Sequence, residues 1–165
     1  MISLVTIATP TAGGAKSTNA TDAIVFSVPG APRGKARPQA RAFMGKVQRF
    51  KDSKTVAYES LVRLAASEAM EAFDRIDDPV FVEIDVFIEP VASTSRSRYA
   101  QMINGLIMPT KAPDLDNIIK SILNGCNGVV FRDDVLVVKL AATKSYAVGS
   151  RVDVRVSRIS TASNV

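Results

Sequence analysis

The sequence predicts an α+β fold: one domain in which a mixed β-sheet carries two main helices packed on one face. Three observations predict it. The chain has 165 residues, enough to bury one core and few for two. Apolar residues at every second position mark strands and apolar residues at helical spacing mark helices, in the order β-α-β-α-β-β-β. Hydrophobic residues make up 47% of the chain but aromatic ones only 6%, so the core is expected to be aliphatic.

Residues 1–22 are rich in Ala, Thr, Ser and Gly and contain the breaker Gly13-Gly14. They read as a flexible N-terminal extension, within which Ile2–Ile7 has the character of an added strand. The domain is expected over 23–160, with 161–165 as a C-terminal tail. Ile24, Phe26 and Val28 alternate with Val25 and Ser27 in a first strand that Pro29-Gly30 ends. A loop with Pro32 and Pro38 follows. Asp52 or Ser53 would cap a helix running to about Phe73, with Tyr58, Leu61, Val62, Ala65, Ala69 and Phe73 on its apolar face.

Val80, Val82, Ile84, Val86 and Ile88 predict a strand with one buried face; Glu83 and Asp85 fall on the other, and Glu89-Pro90 stops it. The polar run Ser93–Arg98 reads as a loop or short helix. A second main helix is expected from Asp116 to about Asn124, stopped by Gly125 or Gly128. Strands Val129–Phe131 and Val135–Leu140 are expected to flank a turn at Arg132-Asp133-Asp134. Val152, Val154 and Val156 alternate with polar residues in the last strand.

Composition excludes several chemistries. The chain has no histidine, which removes His-based triads and His general bases, and with one cysteine it removes any ordinary zinc site. That cysteine, Cys126, cannot pair within one chain and suits a reducing cytoplasm. No apolar run reaches the ~18 residues of a membrane span. Met1–Ala8 lacks the basic flank of a signal peptide. An active site here must run on carboxylates, lysine and hydroxyls, with or without a hard metal.

Charge is unevenly placed. Arg33, Lys35, Arg37, Arg41, Lys46, Arg49, Lys51 and Lys54 face a single acid, Asp52, so this segment carries +7 of an overall +5 and the rest of the chain sums to −2. A cationic block on a slightly acidic body suits a polyanion docked on one side, although a solvated basic loop has the same composition.

Four acidic clusters compete as sites. Asp74/Asp77/Asp78 lies in a helix-to-strand connection, where Asp is ordinary turn material. Glu83/Asp85/Glu89 lies on an outward strand face, where solvation explains it. Asp114 and Asp116 are different: after Pro113 the chain is extended, and side chains two apart share a side. Two carboxylates held together repel unless a cation or protons intervene. Lys120, four residues on, projects toward the same place; the plain alternative is that Asp116 caps the helix and pairs with Lys120. Asp133-Asp134, without glycine, makes a poor two-residue hairpin turn, so something besides turn geometry is expected to hold it. If the helix folds back along its neighbouring strand, three or four carboxylates ring one point, a set suited to Mg²⁺ or Mn²⁺.

Residues 111–134, K-A-P-D-L-D-N-I-I-K-S-I-L-N-G-C-N-G-V-V-F-R-D-D, closely resemble the signature of the RusA family of Holliday junction resolvases. The run Pro32–Pro38, with Lys35, Ala36, Arg37 and Pro38, is similar to that family's N-terminal loop. Ser95–Arg98 is similar to its variable basic segment. The resemblance spans roughly residues 24–158, and the 111–134 block is its specific part.

The resemblance implies a RusA-like fold and a Mg²⁺-dependent homodimer, with Mn²⁺ able to substitute, in which carboxylates from each subunit serve a separate active site. It also implies a cytoplasmic protein of bacterial or phage type. It places the catalytic acids on Asp114, Asp116 and Asp134, the essential lysine on Lys120, and a weaker metal role on Asp133. Arg33, Lys35, Arg37, Arg41, Arg96 and Arg98 would then contact DNA phosphates. One departure stands out: Asn124 occupies a position where the family often has Asp; if that Asp assists metal binding, part of the site is lost here, and if it is structural, Asn substitutes readily. The implied activity is phosphodiester hydrolysis of branched DNA in recombination and repair. The alternatives are a nuclease preferring flaps or forks, a non-catalytic binder of branched DNA, and a D-x-D transferase, for which no Gly-rich phosphate loop is present.

Overall fold

A computed structural model describes residues 23–34, 39–43, 46–50 and 52–159 of the chain. The expected N-terminal extension with Ile2–Ile7, the tail from 160 onward, and Lys35, Arg37, Pro38 and Lys51 lie outside the described residues.

The order is β1 (Ile24–Pro29), β2 (Gln39–Phe43), β3 (Lys46–Phe50), α1 (Ser53–Ala69), β4 (Val80–Ile88), α2 (Arg96–Ile103), α3 (Leu115–Cys126), a single 3₁₀ turn (Asp134–Leu136), β5 (Val137–Tyr146) and β6 (Arg151–Arg158). Four strands form the main sheet in the order β1-β6-β4-β5. β1 and β4 run antiparallel to β6, whereas β4 and β5 are parallel, so the sheet is mixed as expected. A parallel pair needs a crossover, and the segment holding α2 and α3 supplies it. β2 and β3 form a separate antiparallel ladder, from Gln39 opposite Phe50 to Phe43 opposite Lys46, where the sequence predicts a loop carrying the basic cluster.

The core sits on one sheet face. Val82 lies opposite Val156, Ile84 opposite Val154 and Val86 opposite Val152, while Phe26 continues the row beside Val154. All these residues are buried, and Val62 and Ala66 of α1 with Ile118, Ile122 and Cys126 of α3 close over them. The period-two pattern therefore located the sheet and the helical pattern located its cover. The two helices touch where Gly125 meets Val62; a side chain at 125 would collide with Val62 and come within 3.1 Å of the Glu59 carbonyl oxygen. Gly125 is thus an internal contact point of α3, and it is Gly128, with φ +75°, that lies just beyond the helix.

Four further expectations are corrected. α1 ends at Ala69 rather than Phe73, whose side chain is 41% exposed. The chain leaves the helix early because Ile76 is drawn into the core: its amide bonds the Val130 carbonyl, and its carbonyl accepts from the Arg132 amide. Val129–Phe131 is not a strand, since the Val129 and Val130 amides bond back to the Cys126 carbonyl in a turn. No hairpin joins it to β5, and Asp133 instead caps the 3₁₀ turn that leads into that strand. β5 itself begins at Val137 and reaches Tyr146, well past Leu140. It is an edge strand with many exposed positions, so apolar alternation fades along it. The Ser93–Arg98 run resolves into the start of α2, with Ser95 at its N-cap position. Among the described residues no helix is long and apolar enough to cross a membrane.

Candidate functional site

The chain enters α3 through Lys111-Ala112-Pro113, with a cis peptide bond before Pro113. Asp114 takes the N-cap position with extended backbone (φ −70°, ψ 139°), and its carbonyl accepts from the Ile118 amide. Its carboxylate makes no capping hydrogen bond, and Asp116 sits in the first turn rather than at the cap. Both acids are exposed. The capping explanation for this pair therefore fails, while the pairing explanation holds for Asp116. Lys120 Nζ donates to Asp116 Oδ2 at 3.1 Å. That hydrogen bond, with the lysine charge and nearby backbone amides, holds Asp116 below the usual carboxylate range.

Two neighbours shape this end of the helix. Gly34, in the basic loop, packs on the first turn so closely that a Cβ there would stand 2.8 Å from Asn117 Cβ. The loop that carries Arg33 is thereby seated beside Asp116. From the sheet, Lys144 Nζ donates to the Lys111 carbonyl at 3.0 Å and to the Pro113 carbonyl at 3.2 Å.

The other acidic pair lies elsewhere. Asp133 Oδ1 accepts from the Val135 amide at 3.1 Å. This bond and a hydrogen bond with Asp134 hold Asp133 below its ordinary value. Within one chain the expected ring of carboxylates does not form: among the described residues no three His, Cys, Asp or Glu side chains gather closely enough to hold a metal ion. The reason is directional. Lys144, seven residues into β5, reaches the start of α3, whereas Asp133-Asp134 precede the strand, about 23 Å back along it at the usual rise. The helix does fold back along β5, but it carries Asp114 and Asp116 away from the second pair.

The chemistry of the donors nevertheless suits a hard divalent ion: all are carboxylate oxygens, and those at α3 are exposed and not engaged in capping. Asp116 and Lys120 are thus paired, with Asp114 two residues before Asp116 at the N-cap position, and Asp133 and Asp134 form a second group. Of the DNA-contact candidates, Arg33, Arg96 and Arg98 are exposed; Arg41 occupies a backbone position in β2 opposite Gln48. Asn124 faces away from the acids, its Nδ2 donating to Glu59 Oε1 at 2.8 Å across the α1–α3 contact. In the other two clusters, Asp77 and Asp78 lie beside Arg75 and Arg158, and Glu83 beside Arg155.

Sequence reasoning missed Gly34 and Lys144. A glycine between a buried proline and a run of cations is a hint of close backbone approach. Nothing local marks Lys144, whose partners are carbonyls more than thirty residues away.

An α+β domain that seats a basic loop against a helix start bearing two uncapped carboxylates and a lysine has the charge layout of a nucleic-acid-processing protein. The chain belongs to the RusA endodeoxyribonuclease family: the family model described as Endodeoxyribonuclease RusA matches residues 29–157. It is also 30% identical over 141 residues to the uncharacterized protein YqaN of Bacillus subtilis (strain 168), covering 84% of this chain and 99% of that protein. Family membership implies a nuclease of the Holliday junction resolvase type, acting on phosphodiester bonds.

Proposed function

We propose that this protein is a Mg²⁺-dependent, structure-selective endodeoxyribonuclease that resolves Holliday junctions, acting inside the cell in recombination and repair. The observation that carries the reading is the grouping of Asp114, Asp116 and Lys120 on the first turns of α3 with the basic loop packed on Asn117 beside them. Phosphodiester hydrolysis needs an activated water, relief of developing phosphoryl charge and support for the leaving oxygen. Asp114, Asp116 and Asp134, with Asp133 in a lesser part, would hold a Mg²⁺ that supplies these when bound. Lys120, a compact cation with no ligand capacity while protonated, holds the scissile phosphate or orients the water. Arg33, Lys35, Arg37, Arg41, Arg96 and Arg98 contact phosphates and give affinity without sequence information.

The working unit in this reading is a homodimer. What supports it is that among the described residues one chain gathers no metal-holding cluster of acids, and that β5 is an edge of the described sheet with Val138 63% and Leu140 43% exposed. A two-fold dimer also matches the symmetry of a four-way junction, offering one site to each of two opposed strands.

The test compares four-way, flap and linear DNA with Mg²⁺ or EDTA, using the wild-type chain and Asp116→Asn. Cleavage of the four-way junction with Mg²⁺, abolished by the variant while junction binding persists, is the expected result. Binding without hydrolysis in either Mg²⁺ or Mn²⁺ would make the protein a DNA-binding module. Full cleavage by Asp116→Asn would refute the assignment of that acid.

A further inference from the structure

Lys144 is an unusual way to finish a strand edge. Its ammonium has three donors and no acceptor. Two of them are spent on backbone oxygens, those of Lys111 and Pro113, and among the described residues no carboxylate pairs with it. Charge-assisted bonds of this kind are the stronger ones. The strand end of the clamp is rigid: Lys144 pairs in register with Val86 of β4, which is fully buried. The other end is the residue immediately before Asp114.

Asp114 needs such help. Its carboxylate makes no capping bond that would anchor it, so its position follows from the backbone on either side. On the helical side the Asp114 carbonyl is held by the Ile118 amide; on the loop side the nearest described anchor is the Lys144 bond to Pro113. We infer that Lys144 is a positioning residue for the reaction: it ties the segment before α3 to the sheet and thereby sets where the Asp114 carboxylate stands. The inference rests on the nuclease reading for its effect on rate, but not for its effect on the loop.

The experiment uses the full chain with Lys144→Met and Lys144→Arg. Hydrogen exchange is followed in the peptide spanning 106–117, alongside junction affinity, the urea midpoint and single-turnover cleavage with Mg²⁺. Lys144→Met is expected to speed exchange in that peptide by about tenfold while affinity stays within about twofold. Its cleavage rate should fall by about 100-fold, the scale of loss that a displacement of roughly 1 Å produces at a reacting group. Lys144→Arg, whose fork also reaches two carbonyls, should recover most of that rate. Unchanged exchange and wild-type cleavage in Lys144→Met would overturn the inference. So would a rate loss matched by an equal loss of affinity and a collapsed urea midpoint, which would make Lys144 a fold-stabilising residue only. If the wild-type chain cuts no DNA, the nuclease reading fails instead, and the exchange data alone decide the clamp: local acceleration supports it, and none overturns it.

Discussion

Gly34→Ala tests how the basic loop is seated. The added methyl carbon would stand 2.8 Å from Asn117 Cβ and 3.5 Å from the Asn117 carbonyl carbon. Carbon atoms in ordinary contact keep about 3.5–4.0 Å, so one partner must retreat by about 1 Å. α3 is the stiffer partner, with Ile118 and Ile122 fully buried and Gly125 against Val62. The loop, exposed at Gly30, Ala31 and Arg33, should yield. Overpacking a rigid site costs about 1–3 kcal/mol; a loop that lifts away avoids most of it, so the urea midpoint should move by less than about 1 kcal/mol in stability. The loss appears in binding. Displacing Arg33 removes about one phosphate contact, lowering the salt slope of junction affinity by about one unit. A five- to tenfold weaker dissociation constant, roughly 1–1.4 kcal/mol, is expected. Fluorescence anisotropy with a labelled four-way junction across a salt series reads both quantities. An affinity within twofold of wild type with an unchanged slope would refute the idea that this contact seats a phosphate-binding loop.

Two further predictions concern the helices. Asn124→Asp places a second carboxylate against Glu59 where an amide now donates at 2.8 Å; urea denaturation should show a loss of about 2 kcal/mol at neutral pH, largely restored by adding Glu59→Gln, and an unchanged midpoint would contradict the structural role of Asn124. The Cys126 thiol is pushed by burial from its ordinary 9.0 up to about 12. The unfolded chain therefore loses this proton first, so the contribution is complete below about pH 9 and shrinks as pH rises toward the folded value, by about 1.4 kcal/mol per unit. Between about pH 8 and about pH 10 the wild type should lose roughly 1.4 kcal/mol more than Cys126→Ala, and equal losses would count against a buried neutral thiol.

Where one physical signal dominated, the sequence was readable. β4 and β6 carry strict alternation because one face is buried and the other wet, and Tyr58 to Ala69 keep helical spacing because α1 lies across a core. Legibility failed where distant partners decide. Phe73 continues the helical pattern, yet the bonds of Ile76 to Val130 and Arg132 end the helix before it. Val129–Phe131 is as apolar as a strand, but it forms a turn after α3 that buries Val130 and Phe131. Of the candidate site, the pairing of Asp116 with Lys120 was legible from its i,i+4 spacing, whereas where Asp133-Asp134 lie relative to the start of α3 depends on the direction of that helix along β5, which spacing does not encode.

The idle carboxylate of Asp114 has a consequence for how the protein tolerates change. An aspartate at a helix start ordinarily contributes about 1 kcal/mol by capping; here the side chain supplies no such bond. Folding therefore exerts little pull on this position, and neutralising it should yield a well-folded chain suited to trapping an uncut complex. What folding gains from an acid there is limited to the pull of the helix N-terminus on its charge, about 0.3–1 kcal/mol at an exposed position.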